Sequence, residues 1–304
     1  MIGNHIGIAV GGLCFGLTSD GAPILHEITE PYRHFVSGSS DHRDGETVDV
    51  RVTLGEVKPG DGEVIFDGGS WRLMARGRER SFVFQTSLMA EPLYEARFCP
   101  STREIELICS PGLLESVDGG ECIRSHFRYP LDQVLAMYLL GETGLILHAG
   151  GVVREGRALA FAGVSGAGKS TLVGLAAGWH DAFPLNDDRL ILNVSGGGIV
   201  VSGTPWPGEG AVAENRHAEA GALLFLDKGP DNRVRAISHR EALARLLPTV
   251  SLPWFDREYL DAGLRACDTM IRRVPAAVFT FRPETEALDA LDGFLDVQPS
   301  RPPV

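Results

Sequence analysis

The sequence has few lysines, an odd number of cysteines and no long apolar run. Only three of its 304 residues are lysine, and its formal net charge is −12. An acidic surface disfavours broad binding to nucleic acid or to anionic membranes. No run of about 18 apolar residues occurs, and the first residues lack a basic segment followed by an apolar one. We therefore expect neither a membrane span nor a secretion signal.

The five cysteines form no Cys-x-x-Cys pair and show no metal-ligand spacing. We therefore expect them to be reduced and structural, as in a cytoplasmic protein. The hydrophobic content of 44% is enough for a sizeable core. A chain of this length fits two domains or one large domain.

Short apolar or alternating runs separated by Gly, Asp and Pro clusters fill residues 1–128. This pattern predicts a mostly β domain with an antiparallel sheet, which we interpret as an accessory or substrate-recognition domain. The arginines between Arg72 and Arg80 are interpreted as a solvated hairpin face, with peptide or nucleotide contact as the alternative. His26, His34 and His42 are scattered and are interpreted as structural residues. The predicted strands lie near 6–10, 48–52, 64–66, 71–73, 81–84, 96–98 and 104–108.

Residues 129–298 alternate between strand and helix patterns, which predicts an α/β domain. A helix over 130–140 starts at a proline and ends before Gly141. Ser238 and Glu241 form a capping box for a helix through 247, because each side chain satisfies a free amide. Residues 299–304 are predicted to be a flexible tail. The other predicted elements are strands near 145–153, 158–162, 190–194, 199–201, 222–226 and 277–281, and helices after the loop at 163–168 and over 256–273 and 284–295.

Residues 163–170 match the phosphate-binding pattern G-x-x-x-x-G-K-[ST], between a strand-type run and a helix-type run. Glycines allow a tight turn whose amides point inward, and the helix that follows presents its positive dipole end. Lys169 is expected to neutralise phosphate charge and Ser170 to offer a hydroxyl to Mg²⁺. A glycine-rich turn without a ligand is the alternative, which the flanking elements disfavour. The predicted ATP contacts are Gly163, Ser165, Gly166, Ala167, Gly168, Lys169, Ser170 and Thr171.

Acidic residues decide what happens to a bound γ-phosphate. Transfer to an alcohol needs Mg²⁺ ligands and a carboxylate that accepts the hydroxyl proton. Asp187 and Asp188 are adjacent, so both stay ionised only where a cation or hydrogen-bond donors compensate them, which favours a metal site. The alternative for this pair is a solvated turn. Asp227 follows an apolar strand as a Walker B acid would, but we interpret it as part of a plain turn.

The segment from 145 to 201 resembles the catalytic core of HPr kinase/phosphorylase. The resemblance rests on His148-Ala-Gly-Gly, the loop at 163–170 and Asn186-Asp-Asp-Arg, in the same order and spacing. It is closest to divergent HPr-kinase-like proteins encoded with peptide-modifying machinery, which carry a loop similar to 203–209. The resemblance implies a P-loop HPr-kinase/PEP-carboxykinase-like C-terminal domain beside the mostly β N-terminal domain.

Residue roles follow from the resemblance. It implies that Asp187 is the general base toward the acceptor hydroxyl and that Asp188 assists it or binds the metal. His148 would tune the acid pair or contact the transferred phosphate. Lys169 would be catalytic, and Ser170, Asp188 and Glu209 would hold Mg²⁺.

We therefore predict an ATP-dependent kinase that phosphorylates a Ser or Thr hydroxyl of a peptide, a protein or a small molecule. Thr171 stands where bacterial HPr kinases carry Glu, and their Arg-Gly signature is missing, so we expect neither phosphorolysis nor HPr as the substrate. The main alternative is a non-catalytic ATP-binding module that recruits a partner, and a transport or motor ATPase is a third. We expect no nucleic-acid or membrane partner, and the interpretation leaves homo-oligomerisation open.

Overall fold

The computed structural model describes residues 1–37, 45–58, 60–117, 120–176 and 178–297. His42 and the predicted tail at 299–304 lie outside these residues. The protein is a mixed α/β chain in two compact units, Met1–Gly141 with Pro253–Asp261 and Glu142–Leu252 with Ala262–Val304. Within the part of the chain that the structure describes, every helix is too short or too polar to span a bilayer. The predicted domain boundary at 128–129 stays a prediction.

The first unit consists mainly of strands, with the helix α1 (Leu131–Leu140) near its end. Short 3₁₀ turns lie at Glu30–Tyr32 and Pro111–Leu113. The strands are β1 (Ile2–Gly3), β2 (His5–Val10), β3 (Leu13–Thr18), β4 (Ile24–Leu25), β5 (Val36–Ser37), β6 (Glu46–Leu54), β7 (Glu63–Asp67), β8 (Trp71–Arg76), β9 (Glu79–Phe84), β10 (Tyr94–Phe98), β11 (Glu104–Cys109), β12 (Leu114–Val117) and β13 (Gly120–Arg124).

Nine strands of this unit form one sheet, in the order β5-β2-β3-β6-β11-β10-β9-β8-β7. The prediction of an antiparallel sheet is wrong at its centre, because β6 lies between β3 and β11 and runs parallel to both. Parallel neighbours need a crossover of roughly a dozen residues or more, and both connections are long enough. A smaller sheet has the order β1-β4-β13-β12.

Strand alternation explains how β6 separates core from solvent. Val48, Val50 and Val52 are buried, while Asp49 and Arg51 between them are exposed. Successive side chains of a strand point to opposite faces of the sheet, so alternate valines reach the core. The alternation that predicts this strand therefore also indicates which of its side chains face the core.

Arg80 is a buried cation, so the interpretation of the arginines at 72–80 as a solvated face is wrong for Arg80, while Arg76 and Arg78 are exposed. Its side chain is 3% exposed, and that of its partner Asp256 is 4% exposed. Arg80 Nε and Nη2 donate to the two Asp256 oxygens at 2.6 and 3.0 Å. Tyr138 Oη donates to the same carboxylate at 2.7 Å, and Glu258 accepts from Arg80 at 3.0 Å. The charge is buried because β9 alternation points Arg80 to the same side as Phe82.

His26 gives the first unit a predicted pH dependence. Burial, with the nearby charges of Arg128, the N-terminus and His126, lowers the pKa of His26 to about 4. The unfolded value is about 6.5, so the unfolded chain binds a proton first as the pH falls. We expect the free energy of unfolding to drop by roughly 3 kcal/mol between pH 6.5 and pH 4. Urea unfolding across this range measures it.

The control for this prediction is His26→Leu, which removes the titrating group and keeps an apolar side chain of similar size. His26 Nδ1 is buried without a hydrogen-bond partner among the described residues, so leucine leaves no donor stranded. The variant is expected to flatten the pH dependence between pH 6.5 and 4. An equally steep decline in the variant would assign the effect to other groups.

The second unit is built on one sheet with helices packed against it. Its helices are α2 (Lys169–Ala176), α3 (His239–Leu246), α4 (Arg257–Arg273, which begins in the first unit) and α5 (Glu286–Val297), with a 3₁₀ turn at Leu247–Thr249. Its strands are β14 (Gly144–Arg154), β15 (Arg157–Ala162), β16 (Ala182–Asn186), β17 (Arg189–Ser195), β18 (Gly198–Gly203), β19 (His217–Lys228), β20 (Arg233–Ala236), β21 (Val250–Ser251) and β22 (Ala276–Phe281).

The sheet follows the order β15-β14-β17-β18-β19-β22-β20, and an extra pairing of β15 with β19 closes five of these strands into a ring. The strands β15 and β22 each pair in parallel with β19. Leu172 and Val173 of α2 pack in one core cluster with Phe161, Leu224 and Phe279. This packing fixes the start of α2 beside the carboxyl end of β15.

Candidate active site

The loop at 163–168 leaves β15 at Ala162 and enters α2 at Lys169, as its strand–loop–helix context predicts. Gly166 and Gly168 have φ of 78° and 104°, which side chains rarely adopt. A Cβ added at Gly168 would lie 2.6 Å from Phe281 Cζ. Glycine is therefore required here both by backbone conformation and by the close approach of β22.

Lys169 is folded over its own loop. Its side chain is buried, and Nζ donates to the carbonyl oxygens of Gly163 at 3.0 Å and Val164 at 3.4 Å. Burial lowers the pKa of Lys169, and the nearby charge of Asp188 partly opposes this shift. The ammonium therefore rests on the first two residues of the loop, where these two hydrogen-bond partners are uncharged carbonyl oxygens.

The segment from Asn186 to Arg189 connects β16 to β17 and carries the two adjacent acids. Asn186 is fully buried, and its Oδ1 accepts from the amides of Asp188 and Arg189, each at 2.7 Å. Its Nδ2 donates to Thr204 O at 2.9 Å. Asn186 therefore sets the turn from which Asp187 and Asp188 project.

Asp187 is 1% exposed, and among the described residues its carboxylate accepts only backbone amides. The amides of Gly208 and Val212 donate to Oδ1 at 3.0 and 3.3 Å, and that of Gly210 donates to Oδ2 at 2.8 Å. Two adjacent carboxylates stay ionised only where a cation or hydrogen-bond donors compensate them. For Asp187 these donors are the backbone amides of the loop at 208–212. Sequence reasoning did not find Gly208, Gly210 and Val212.

The carboxylate of Asp188 is more open, at 26% exposure. His148 Nε2 donates to its Oδ1 at 2.8 Å, and Arg189 Nη1 donates to its Oδ2 at 2.5 Å. Burial alone would raise the pKa of Asp188, but the hydrogen bond from His148 and the charges of Arg189 and Lys169 lower it below its usual value. Asp188 therefore stays ionised with cations around it.

The acids and the phosphate loop meet at one edge of the sheet. Ser170 Oγ lies 3.5 Å from the carbonyl oxygen of Asp187. A Cβ added at Gly150 of β14 would lie 2.7 Å from Val173, 3.4 Å from Lys169 O and 3.6 Å from Asp187 O. Glycine at 150 thus lets α2, β14 and the acid turn come together.

No protein-family model matches this chain, and no curated protein matches it either. Among solved structures, the chain is similar to the HPr(Ser) kinase/phosphatase from Coxiella burnetii. The identity is 15%, the similarity covers 49% of this chain and 95% of that chain, and the TM-score is 0.28. A similarity of this size is distant and decides nothing about the site.

The predicted magnesium ligands are only partly brought together. Ser170 Oγ lies 3.5 Å from the carbonyl oxygen of Asp187, the residue before Asp188, whereas Glu209 is exposed between the two glycines whose amides bind Asp187. Among the described residues, no group of three or more His, Cys, Asp or Glu side chains is arranged to hold a metal ion. Any ion here would take its other ligands from phosphates and water, as Mg²⁺ commonly does.

Asp227 has a structural partner. Arg245 Nη1 and Nη2 donate to its two carboxylate oxygens at 3.0 and 3.1 Å. A bidentate arginine pair occupies the carboxylate that a Walker B acid would present to a metal. The interpretation of Asp227 as part of a turn is wrong, because it lies within β19, one residue before the strand ends, and its pairing with Arg245 gives it a structural role.

Proposed function

We propose that the second unit is an ATP-dependent phosphotransferase that acts on a hydroxyl of a peptide, a protein or a small molecule. The observation that carries the proposal is the contact between the phosphate loop and the acid turn, where Ser170 Oγ lies 3.5 Å from Asp187 O. A nucleotide held by the loop amides would present its terminal phosphate toward Asp188 and His148. Acids beside the phosphate are needed for transfer and are unnecessary for binding alone.

Each group has a role that its environment supports. The amides of the 163–168 loop and the first turn of α2 would bind the phosphates, and Lys169 would neutralise their charge. The Ser170 hydroxyl and the ionised, partly exposed Asp188 carboxylate are oxygen ligands that suit Mg²⁺. The ion would screen the phosphate charge as the acceptor approaches. His148 would hold the orientation of Asp188 through their hydrogen bond.

Mass spectrometry tests the proposal directly. The full chain is incubated with Mg-ATP and serine-containing peptides, and a gain of about 80 Da on a peptide is the expected product of hydroxyl phosphorylation. We expect Asp188→Asn to lower the rate by about 100-fold or more, since it removes preorganised charge at the phosphate. ATP binding with no transfer to peptide, protein or small-molecule hydroxyls would favour the partner-recruiting module instead.

A further inference from the structure

Asp187 is turned toward one loop and away from solvent. Three of the roughly four acceptor positions of its carboxylate receive amides from Gly208, Gly210 and Val212. Its side chain is 1% exposed, while Asp188 beside it is 26% exposed. A carboxylate that accepts a proton from an acceptor hydroxyl must contact that hydroxyl. Asp187 in this arrangement contacts the loop instead.

The 206–212 loop is shaped to receive this carboxylate. A Cβ at Gly210 would lie 2.7 Å from Asp187 Oδ2, and a Cβ at Gly208 would lie 3.0 Å from the same oxygen and from Asp188 Cβ. Ala211 has φ of 55°, a conformation that costs a non-glycine residue free energy, and its amide donates to Gly208 O at 3.1 Å. The tight turn aims alternate amides at a single anion.

The start of the loop is held separately. Trp206 is 5% exposed, and Thr204 Oγ1 donates to Arg189 O at 2.8 Å. Asn186 Nδ2 binds Thr204 O at 2.9 Å. Hydrogen bonds from Asn186 and Thr204 thus hold the base of the loop at the acid turn, while Asp187 holds residues 208–212.

We propose that Asp187 is a positioning residue, which anchors the 206–212 loop against Asp188 and so forms one wall of the phosphoryl-transfer site. This inference rests on the proposed function. In this proposal Asp187 acts through its hydrogen bonds to the loop and does not contact the acceptor hydroxyl. Gly208 and Gly210 are part of the same arrangement, because only glycine at these positions leaves room for the Asp187 carboxylate.

Two variants separate this role from direct catalysis. Asp187→Asn replaces one accepting oxygen by a donor, which repels the loop amides. Gly210→Ala keeps the carboxylate but pushes the loop away from it. The matched control for the added methyl group is Gly293→Ala in α5, outside the site, where an added Cβ would meet no atom within 4 Å. Each variant of the full chain is studied by amide hydrogen exchange of residues 208–212 without nucleotide, by Mg-ATP affinity, and by turnover of Mg-ATP with water as the acceptor.

We expect both Asp187→Asn and Gly210→Ala to accelerate exchange in 208–212 by about 10-fold or more, since each bond to the carboxylate is charge-assisted. Turnover is expected to fall equally in both, with Mg-ATP affinity changed less than about 3-fold, because the phosphate loop is intact. Gly293→Ala is expected to alter neither exchange in 208–212 nor turnover.

Two outcomes would overturn the proposal. Unchanged exchange in Asp187→Asn would show that the carboxylate does not anchor the loop. Turnover lost in Asp187→Asn but kept in Gly210→Ala, with exchange accelerated in both, would mean that Asp187 acts directly on the reaction. If the wild-type chain binds no Mg-ATP, the proposed function fails, and the exchange measurement alone still decides whether Asp187 anchors the loop.

Discussion

Lys169→Ala is expected to weaken Mg-ATP binding by about 100-fold or more. Lys169 is the cation that follows the phosphate loop, and its ammonium donates to the carbonyl oxygens of Gly163 and Val164 in that loop. Bonds to charged groups each contribute about 1.5–3 kcal/mol, and every 1.4 kcal/mol is a tenfold change in affinity. Isothermal titration calorimetry of the full chain with Mg-ATP measures the loss.

Lys228→Ala is the matched control for this prediction. It removes the same charge from an exposed position of the second unit, at the end of β19. We expect its Mg-ATP affinity to stay within about twofold of the wild-type value, because an exposed charge outside the site is largely screened. Equal affinities for wild type and Lys169→Ala would contradict a phosphate role for this loop.

Local motifs made the phosphate loop predictable from sequence. The glycines, Lys169 and Ser170 are fixed by what a tight turn and a helix start demand, so strand, loop and helix follow one another as expected. Ser238 caps α3 as predicted, with its hydroxyl accepting from Glu241 N at 3.2 Å, whereas the Glu241 side chain pairs with Arg235 and Arg245 rather than closing the predicted capping box. These features depend on neighbours within a few positions, which a sequence displays directly.

One missed element had a usable local signal. Gly11 and Gly12 have φ of 57° and 85° and join β2 to β3 in a two-residue hairpin. A Gly-Gly pair between apolar runs is a typical hairpin turn. The run after it, Leu13–Thr18, forms β3, and its first five residues are all buried.

The features that sequence could not supply join distant positions. The amides that hold Asp187 come from residues more than 20 positions later, and backbone donors leave no trace in residue type. The glycines at 208 and 210 are visible in the sequence, but an ordinary turn explains them equally well, so they do not by themselves indicate contact with Asp187. The parallel placement of β6 between β3 and β11 is likewise a property of long-range pairing, which alternation within a strand does not encode.

Arg80→Met is expected to destabilise the first unit by about 3–5 kcal/mol, since it leaves the buried carboxylate of Asp256 without its cation. Asp256 would keep only the Tyr138 hydroxyl of its side-chain partners described above, at 2.7 Å, and Glu258 would lose its bond at 3.0 Å. Urea unfolding at neutral pH measures the change. A shift in the midpoint without a change in slope would identify it as a loss of stability.

Arg78→Met is the control, because it alters an exposed arginine of the same hairpin, two positions away. We expect its effect to stay within about 0.5 kcal/mol, as for most surface substitutions. If both variants lost equally little, the Arg80–Asp256 pair would contribute no more than an exposed ion pair does. A large loss in Arg80→Met alone would instead show that the Arg80–Asp256 pair holds residues 253–261 to the rest of the first unit, which no pattern within either segment reveals.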